Sequence, residues 1–177
     1  MTTKVNAGEA IEGLPIPHEE KDRKLVIFAW SGELDKVWPQ LILATTGAAM
    51  GMETTVFFTF WGLFPLVKND VRITGDNWMQ KMMSALNRGG TDHLKLSKYQ
   101  FAGMGPRMMR KLGTEHKVAS PTELLEMARD MGVRMVPCQM TMDLLGLKRE
   151  DLVEGLDEPA GATTALLAAQ DAITLFI

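Results

Sequence analysis

Two strand-like runs without charged residues, separated by a segment of helix length, constrain the fold of this chain more than any other feature. Residues 25–30 read LVIFAW, and residues 54–60 (TTVFFTF) are β-branched and aromatic. Such runs are typical of strands that are buried on both faces, as in parallel sheets. The segment between them predicts a helix from Leu34 to about Met50, with Gly51 near its C-cap. The sequence therefore predicts a β-α-β unit.

The second half of the chain continues this alternation. Residues 133–137 (VRMVP) and the apolar residues 173–177 (ITLFI) predict two more short strands. Residues 120–123 (SPTE) have the pattern of a capping box with proline at the first helical position, and they predict a helix that ends near Gly132. Another helix is predicted between about residues 157 and 172. The pattern indicates an α/β fold with a mainly parallel sheet and helices on both faces.

A basic, methionine-rich insert interrupts the alternation at about residues 68–117. It holds ten basic and four acidic residues, a net charge of +6, whereas the segments before and after it carry −3 and −6. One apolar series at helical spacing predicts a helix that ends at Gly89-Gly90; its members are Trp78, Met79, Met82, Met83 and Leu86. A second, shorter helix is predicted around Met108, Met109 and Leu112.

The charge of the insert has two interpretations. It is either a solvated face that pairs with the acidic segments, or a docking surface for an acidic partner protein. For the second interpretation the candidate docking residues are Arg107, Arg110 and Lys111.

Length and composition limit the domain organisation, the location and the classes of partner that we expect. The 177 residues fit a single domain at 24–177, preceded by a flexible polar lead-in at 1–23 that has no signal-peptide pattern. Uncharged stretches at 37–52 and 54–67 are too short to span a membrane, so a cytoplasmic protein is expected. The net charge of −3 argues against a general nucleic-acid binder. Fourteen methionines favour adaptable contacts, and hence a homo-oligomer.

Cys138 is the only cysteine, which excludes an internal disulfide framework, a cysteine zinc cluster and a C-x-x-C dithiol. It lies between a predicted strand and a short predicted helix that ends at Gly146. Backbone N–H groups at such a helix start favour a thiolate, and they would also favour a persulfide anion. The alternative is a buried, inert cysteine.

The sequence supports other kinds of binding or catalytic site less well. Residues 30–32 (WSG) follow the first strand and could cradle a phosphate, but Glu33 and Asp35 would repel it and no G-x-G-x-x-G is present. The three histidines show no metal-ligand spacing, and no Ser/His/Asp set is evident. We therefore expect no cofactor and no metal.

The residues around Cys138 resemble a known family. Residues 138–146 (CQMTMDLLG) with 133–137 before them, 51–62 (GMETTVFFTFWG) and 111–113 (KLG) are similar to the DsrE/DsrF-like sulfur-carrier family, in its peroxiredoxin-like or putative sulfurtransferase branch. The resemblance covers about 24–177. It implies a parallel sheet of about five strands, a homo-oligomer, and a cysteine, here Cys138, that accepts and hands on sulfane sulfur as a persulfide. Rhodanese-like and TusA-type proteins are the partners it implies.

These observations predict a sulfur-transfer protein of sulfur metabolism, acting as a sulfurtransferase or only as a sulfur carrier. Thiolate exchange needs one cysteine here, because the other thiols belong to the partners. Met140, Thr141, Trp61 and Ser31 are the candidate residues of the surrounding pocket. The alternative is a non-catalytic oligomeric binding or scaffold protein that uses its methionine-rich insert.

Overall fold

In a computed structural model of the chain, residues 23–71, 78, 80 and 88–177 are described. Their strands form one sheet in the order β3-β2-β1-β4, and every neighbouring pair is parallel. The strands are β1 (Lys24–Ala29), β2 (Glu53–Phe58), β3 (Arg134–Pro137) and β4 (Ile173–Phe176). The α-helices are α1 (Leu34–Ala49), α2 (Met104–Glu115), α3 (Pro121–Asp130), α4 (Gln139–Leu145) and α5 (Ala162–Ala168).

The two faces of the sheet carry two separate hydrophobic clusters. Ile27 and Phe58 belong to the large core, which α1 and α3 cover. Phe57 alternates to the opposite face, where it joins a small cluster with Val136 and with Ala165 of α5. Both faces of the sheet are therefore covered, but the hydrophobic cluster on one face is much larger than the cluster on the other.

The capping box at residues 120–123 is confirmed. Ser120 Oγ accepts a hydrogen bond from the Glu123 amide at 3.3 Å, and the Glu123 carboxylate accepts one from the Ser120 amide at 2.7 Å. The backbone and hydroxyl hydrogen bonds from Ser120 hold the pKa of Glu123 below its usual value. The helix that begins at this capping box is α3. It packs on the large core, and β3 follows it in the chain.

The four predicted strands are present within a residue or two of the expected positions, and the α/β class with a parallel sheet is confirmed. A fifth strand, implied by the resemblance, is not found among residues 23–71 and 88–177. The lead-in at 1–23 lies outside the described residues except Arg23, and the methionine-rich helix around 78–86 lies outside them except Trp78 and Gln80. The helix expected near Met108 is confirmed as α2.

The helix expected from Asp157 begins later, at Ala162. Asp157 instead follows β3: its amide donates to the carbonyl of Met135 at 2.9 Å, and its carboxylate accepts from the Met135 amide at 2.9 Å. The amide of Ala160 likewise donates to the carbonyl of Pro137 at 3.0 Å. These hydrogen bonds to β3 outweigh the helix propensity of the segment after Asp157, and they place Ala160 beside Cys138.

Within the described part of the chain, no helix combines the length and the apolar character needed to cross a bilayer.

Candidate functional site

Cys138 follows β3 directly, at the carboxyl end of the sheet, and is the N-cap residue of α4. Its amide donates to the carbonyl of Phe58 at 2.8 Å, and the next amide, of Gln139, donates to the carbonyl of Ala160 at 3.0 Å. Cys138 also forms a parallel bridge with Ala160. The backbone at the thiol is therefore fixed on two sides, by the end of β2 and by the segment before α5.

The Cys138 side chain lies in the small cluster and is only 2% exposed. It packs with Phe57, Val136 and Ala165, and the partly buried Phe28 and Ala160 pack against this cluster. The thiol makes no capping hydrogen bond to the first turn of α4, so the expected contact with backbone N–H groups is not formed. The immediate surroundings of the sulfur are apolar.

Thr141 and Met140 occupy different environments on α4. The Thr141 hydroxyl is buried, lies 3.2 Å from the hydroxyl of Thr59, and accepts a hydrogen bond from the Phe60 amide at 3.2 Å. It thereby ties the helix that follows Cys138 to the end of β2. Met140 is 66% exposed, and Leu144 one turn later is also exposed. Thr141 positions the helix, whereas Met140, two residues after Cys138, presents an apolar side chain to solvent.

Ser31 and Trp61 meet in a different place, a cleft of about 380 Å³ at the carboxyl ends of β1 and β2. We call it the strand-end cleft; Trp30, Ser31, Trp61, Phe64, Arg88 and Lys95 are among the residues that line it. Ser31 is buried and donates to Glu33 Oε2 at 2.5 Å, while Trp61 stacks on Phe64 with ring centroids 5.6 Å apart. Cys138 does not line this cleft. The structure thus brings Ser31 and Trp61 together, but not with the thiol.

The three candidate docking residues lie on α2. Arg110 donates to the carbonyl of Thr91 at 2.8 Å, and burial lowers the pKa of its guanidinium, an effect that the charge of Asp92 opposes. Arg107 and Lys111 are exposed, and Lys111 Nζ lies 3.8 Å from Glu115.

The helix α2 packs closely on α1: a Cβ added to Gly113 would overlap the ring of Trp38. Because α1 covers the large core, the basic residues of α2 lie on the side of the sheet opposite the Cys138 cluster. Arg110 holds a loop, and only Arg107 and Lys111 project from the surface.

The sequence does not single out Ala160 and Ala165, which pack in the cluster around Cys138, or several residues that line the strand-end cleft. Ala160 and Ala165 carry no signal that would place small side chains beside Cys138. In the sequence, Arg88 and Lys95 contribute only to the charge of the basic insert, and His93 is only one of three histidines without metal-ligand spacing. Among the described residues, no three His, Cys, Asp or Glu side chains are grouped so that they could hold a metal ion.

The chain is similar to several known proteins. Residues 21–176 match the model of the DsrE/DsrF/DrsH-like family. The chain is 37% identical to the Bacillus subtilis (strain 168) protein YrkE, described as uncharacterized, over 89% of this chain and 99% of that protein. It is 35% identical to the sulfur carrier protein DsrE2 of Allochromatium vinosum, over the same shares of the two chains.

Among solved structures, the ychN protein of E. coli superimposes with a TM-score of 0.54 at 13% identity, covering 88% of this chain and 99% of that one. At that identity the likeness concerns the fold alone. The match to the family model, which spans most of the chain, and the two curated relatives decide the classification: this chain belongs to the DsrE/DsrF/DrsH-like family.

Proposed function

We propose that this protein transfers sulfane sulfur in the cytoplasm, carrying it as a persulfide on Cys138 between a donor and an acceptor protein. The observation that carries the proposal is the place of the chain's only cysteine, at the carboxyl end of β3, where ligands of open α/β sheets bind. The relative named as a sulfur carrier supports it. Rhodanese-like and TusA-type proteins are the donors and acceptors we propose.

The proposed chemistry is two successive thiolate exchanges. The Cys138 thiolate attacks the outer sulfur of a donor persulfide, forming Cys138–S–SH and releasing the donor as its thiolate. The acceptor thiolate then attacks the outer sulfur on Cys138, which leaves as a thiolate again. One S–S bond forms and one breaks in each step, so no external oxidant or reductant is needed. A single cysteine suffices because both other thiols belong to the partners.

Burial of Cys138 means that its cover must open before exchange. That cover is α5, a helix of seven residues whose single buried side chain is Ala165. The neighbouring Leu166 and Leu167 are more than half exposed. Because so little apolar surface holds α5 in place, it can separate from the sheet at a small fraction of the cost of global unfolding. We therefore assign access to the thiol to opening of α5.

Loading of the wild-type chain tests the proposal directly. After exposure to polysulfide or to a thiosulfate-loaded rhodanese, the intact mass should rise in steps of about 32 Da, the mass of one sulfur atom that such an exchange adds. Proteolysis should place the added sulfur on the peptide that contains Cys138. A dithiothreitol wash should remove it, which distinguishes a persulfide from an irreversible oxygen adduct of similar mass. A chain that stays unmodified with every donor would contradict the proposal.

We further propose that the protein is a homo-oligomer and that a second copy pairs with β4. This strand is at the edge of the sheet, and within the described residues no strand lies on its outer side. Ile173 and Phe176 are 58% and 70% exposed, and residues 172–177 carry no charged side chain. Exposed apolar edge strands are templates for pairing, and two identical uncharged strands can pair about a two-fold axis without repulsion.

Light scattering at micromolar concentration should therefore give at least twice the chain mass of 19.6 kDa. The variant Ile173→Lys/Phe176→Lys should dissociate, because charges at an edge strand oppose pairing. The control is Met108→Lys/Leu112→Lys, which places two charges on exposed positions of α2. A wild-type monomer would refute the oligomer, and dissociation of the α2 variant alone would locate the contact on α2 instead.

The exposed side chains of α2 favour the second candidate function, that of an oligomeric binding or scaffold protein. Met104, Met108 and Leu112 follow one another at a spacing of four residues and are about half exposed or more. An oligomeric binding or scaffold protein would use such a surface without loading sulfur. In the sulfur-transfer proposal, Arg107 and Lys111 beside it attract an acidic partner at encounter, an effect that needs no contact with Cys138.

A further inference from the structure

The strand-end cleft is a concave feature of the described residues that the proposed sulfur chemistry does not use. Residues 30–33 after β1 form one wall, and Trp61 and Phe64 after β2 form another. Residues 93–96 close it, and the Leu34 amide is bonded to the carbonyl of Lys95 at 2.7 Å. This bond pins the third wall to the start of α1, so three distant segments form a fixed cavity.

Basic side chains give the cleft its charge. Arg88 and Lys95, both exposed, line it, and Lys36 Nζ lies 6.0 Å from the centre of the ring of Trp30, another lining residue. The imidazole ring of His93 adds a polar group to the lining. His93 is held in place by the carbonyl of Asn69, 3.3 Å from its Nε2. Cations that converge on one cavity attract an anionic ligand and slow the loss of a bound one.

Of the two acidic residues that argued against an anion at the sequence level, Glu33 lines the cleft but is paired there, and Asp35 lies outside the lining. The Glu33 carboxylate accepts the Ser31 hydroxyl and lies 3.6 Å from Lys36 Nζ. Asp35 does not line the cleft, and its carboxylate accepts both the amide and the hydroxyl of Ser97. Partial burial raises the pKa of Asp35, but the hydrogen bonds from Ser97 outweigh this and leave the pKa below its usual value. Neither carboxylate adds an uncompensated negative charge to the cavity.

Aromatic rings supply the apolar part of the lining. Trp61 and Phe64 are stacked nearly parallel, with an angle of 17° between their planes, and Trp30, which also lines the cleft, is 42% exposed. Flat apolar surfaces of this kind bind planar groups by burial and stacking. Small-molecule sites combine such a lining with a few polar groups that fix orientation.

We propose that the strand-end cleft binds a small organic anion that has a planar apolar group, with Arg88 and Lys95 on the anionic end and Trp30 and Trp61 on the planar end. The cleft lies at the same end of the sheet as Cys138, since β2 leads into it and is tied to α4 through Thr59 and Thr141. Its ligand binding does not depend on the thiol. The variant Cys138→Ser should bind the same ligand with unchanged affinity.

The test uses the full chain and a matched pair of probes, naphthalene-2-sulfonate and the neutral naphthalene-2-sulfonamide. In a chain labelled with ¹⁵N, the sulfonate should shift the indole N–H signals of Trp30 and Trp61 in a saturable way. The indole of Trp38, which donates to the carbonyl of Ala119 at 2.7 Å outside the cleft, should stay in place. The sulfonamide should bind roughly five- to tenfold more weakly, because it lacks the charge that pairs with the two exposed cations.

The variant Arg88→Ala/Lys95→Ala should weaken sulfonate binding by the same roughly five- to tenfold and leave sulfonamide binding unchanged. Its control is Arg107→Ala/Lys111→Ala, which removes the same formal charge from exposed positions of α2. Three results would overturn the proposal: no saturable shift at about 10 mM sulfonate, equal affinity for the two probes, or equal loss in the two double variants. Thermal unfolding of each variant shows whether it is folded. Trp30→Ala is a second variant, which removes one ring from the planar end of the cleft and leaves every cation in place.

Discussion

Replacing Cys138 with serine is expected to abolish sulfur transfer from a persulfide donor to an acceptor thiol. A serine hydroxyl does not ionise near neutral pH and does not form a persulfide, and no other cysteine in the chain can take over the sulfur. The loss of a sole nucleophile should lower the transfer rate at least about a thousandfold, to the rate of direct exchange between the partners. Single-turnover transfer, followed by alkylation and mass spectrometry of the acceptor, measures this rate.

Two further variants separate chemistry from folding. The Cys138 side chain is buried in an apolar cluster, so a serine hydroxyl there costs about 1–3 kcal/mol of stability if it finds no hydrogen-bond partner. Cys138→Ala avoids that penalty and should be equally inactive. Met140→Ala, two residues away and exposed, should keep most of the activity. Transfer that survives in both Cys138→Ser and Cys138→Ala would show that the cysteine is structural and would favour the scaffold function.

The features predicted correctly from the sequence are those that a short segment encodes. The four strands follow from short segments rich in apolar, β-branched or aromatic residues, which can be recognised without knowledge of their neighbours, and the capping box at Ser120 is complete within four residues. The turn at Gly146 that ends α4 adopts a left-handed conformation, with φ of 69°, which glycine accepts readily. In each case the local preference and the final structure agree.

The features that could not be predicted depend on which distant segments meet. Nothing in residues 173–177 shows that β4 pairs with β1, and nothing local shows that Asp157 pairs with Met135 instead of starting a helix. The burial of Cys138 under Ala165 has the same origin. The cleft is the clearest case, because Ser31, Trp61 and Lys95 converge on it from three separate parts of the chain.

The loops after β1 and β2, which meet at the cleft, approach each other closely at Gly62. A methyl group at Gly62 is expected to disrupt this backbone contact. A Cβ at Gly62 would overlap the carbonyl oxygen of Ala29 and lie 2.6 Å from its carbonyl carbon. That oxygen cannot move freely, because it accepts the Thr59 amide at 2.8 Å at the end of the sheet ladder. Gly32 meets the carbonyl of Trp61 in the same way, so the loops after β1 and β2 lie in direct backbone contact.

The variant Gly62→Ala should therefore lower the free energy of unfolding by about 3 kcal/mol, the upper range for overpacking, since backbone and not a flexible side chain must give way. Urea unfolding followed by circular dichroism measures the change. The control is Gly161→Ala, where an added Cβ meets no atom within 4 Å and φ is −91°, so the loss should stay within about 1 kcal/mol. Equal stability of the two variants would mean that the loops separate easily. The strand-end cleft would then lack the rigid walls that selective binding of a planar anion requires.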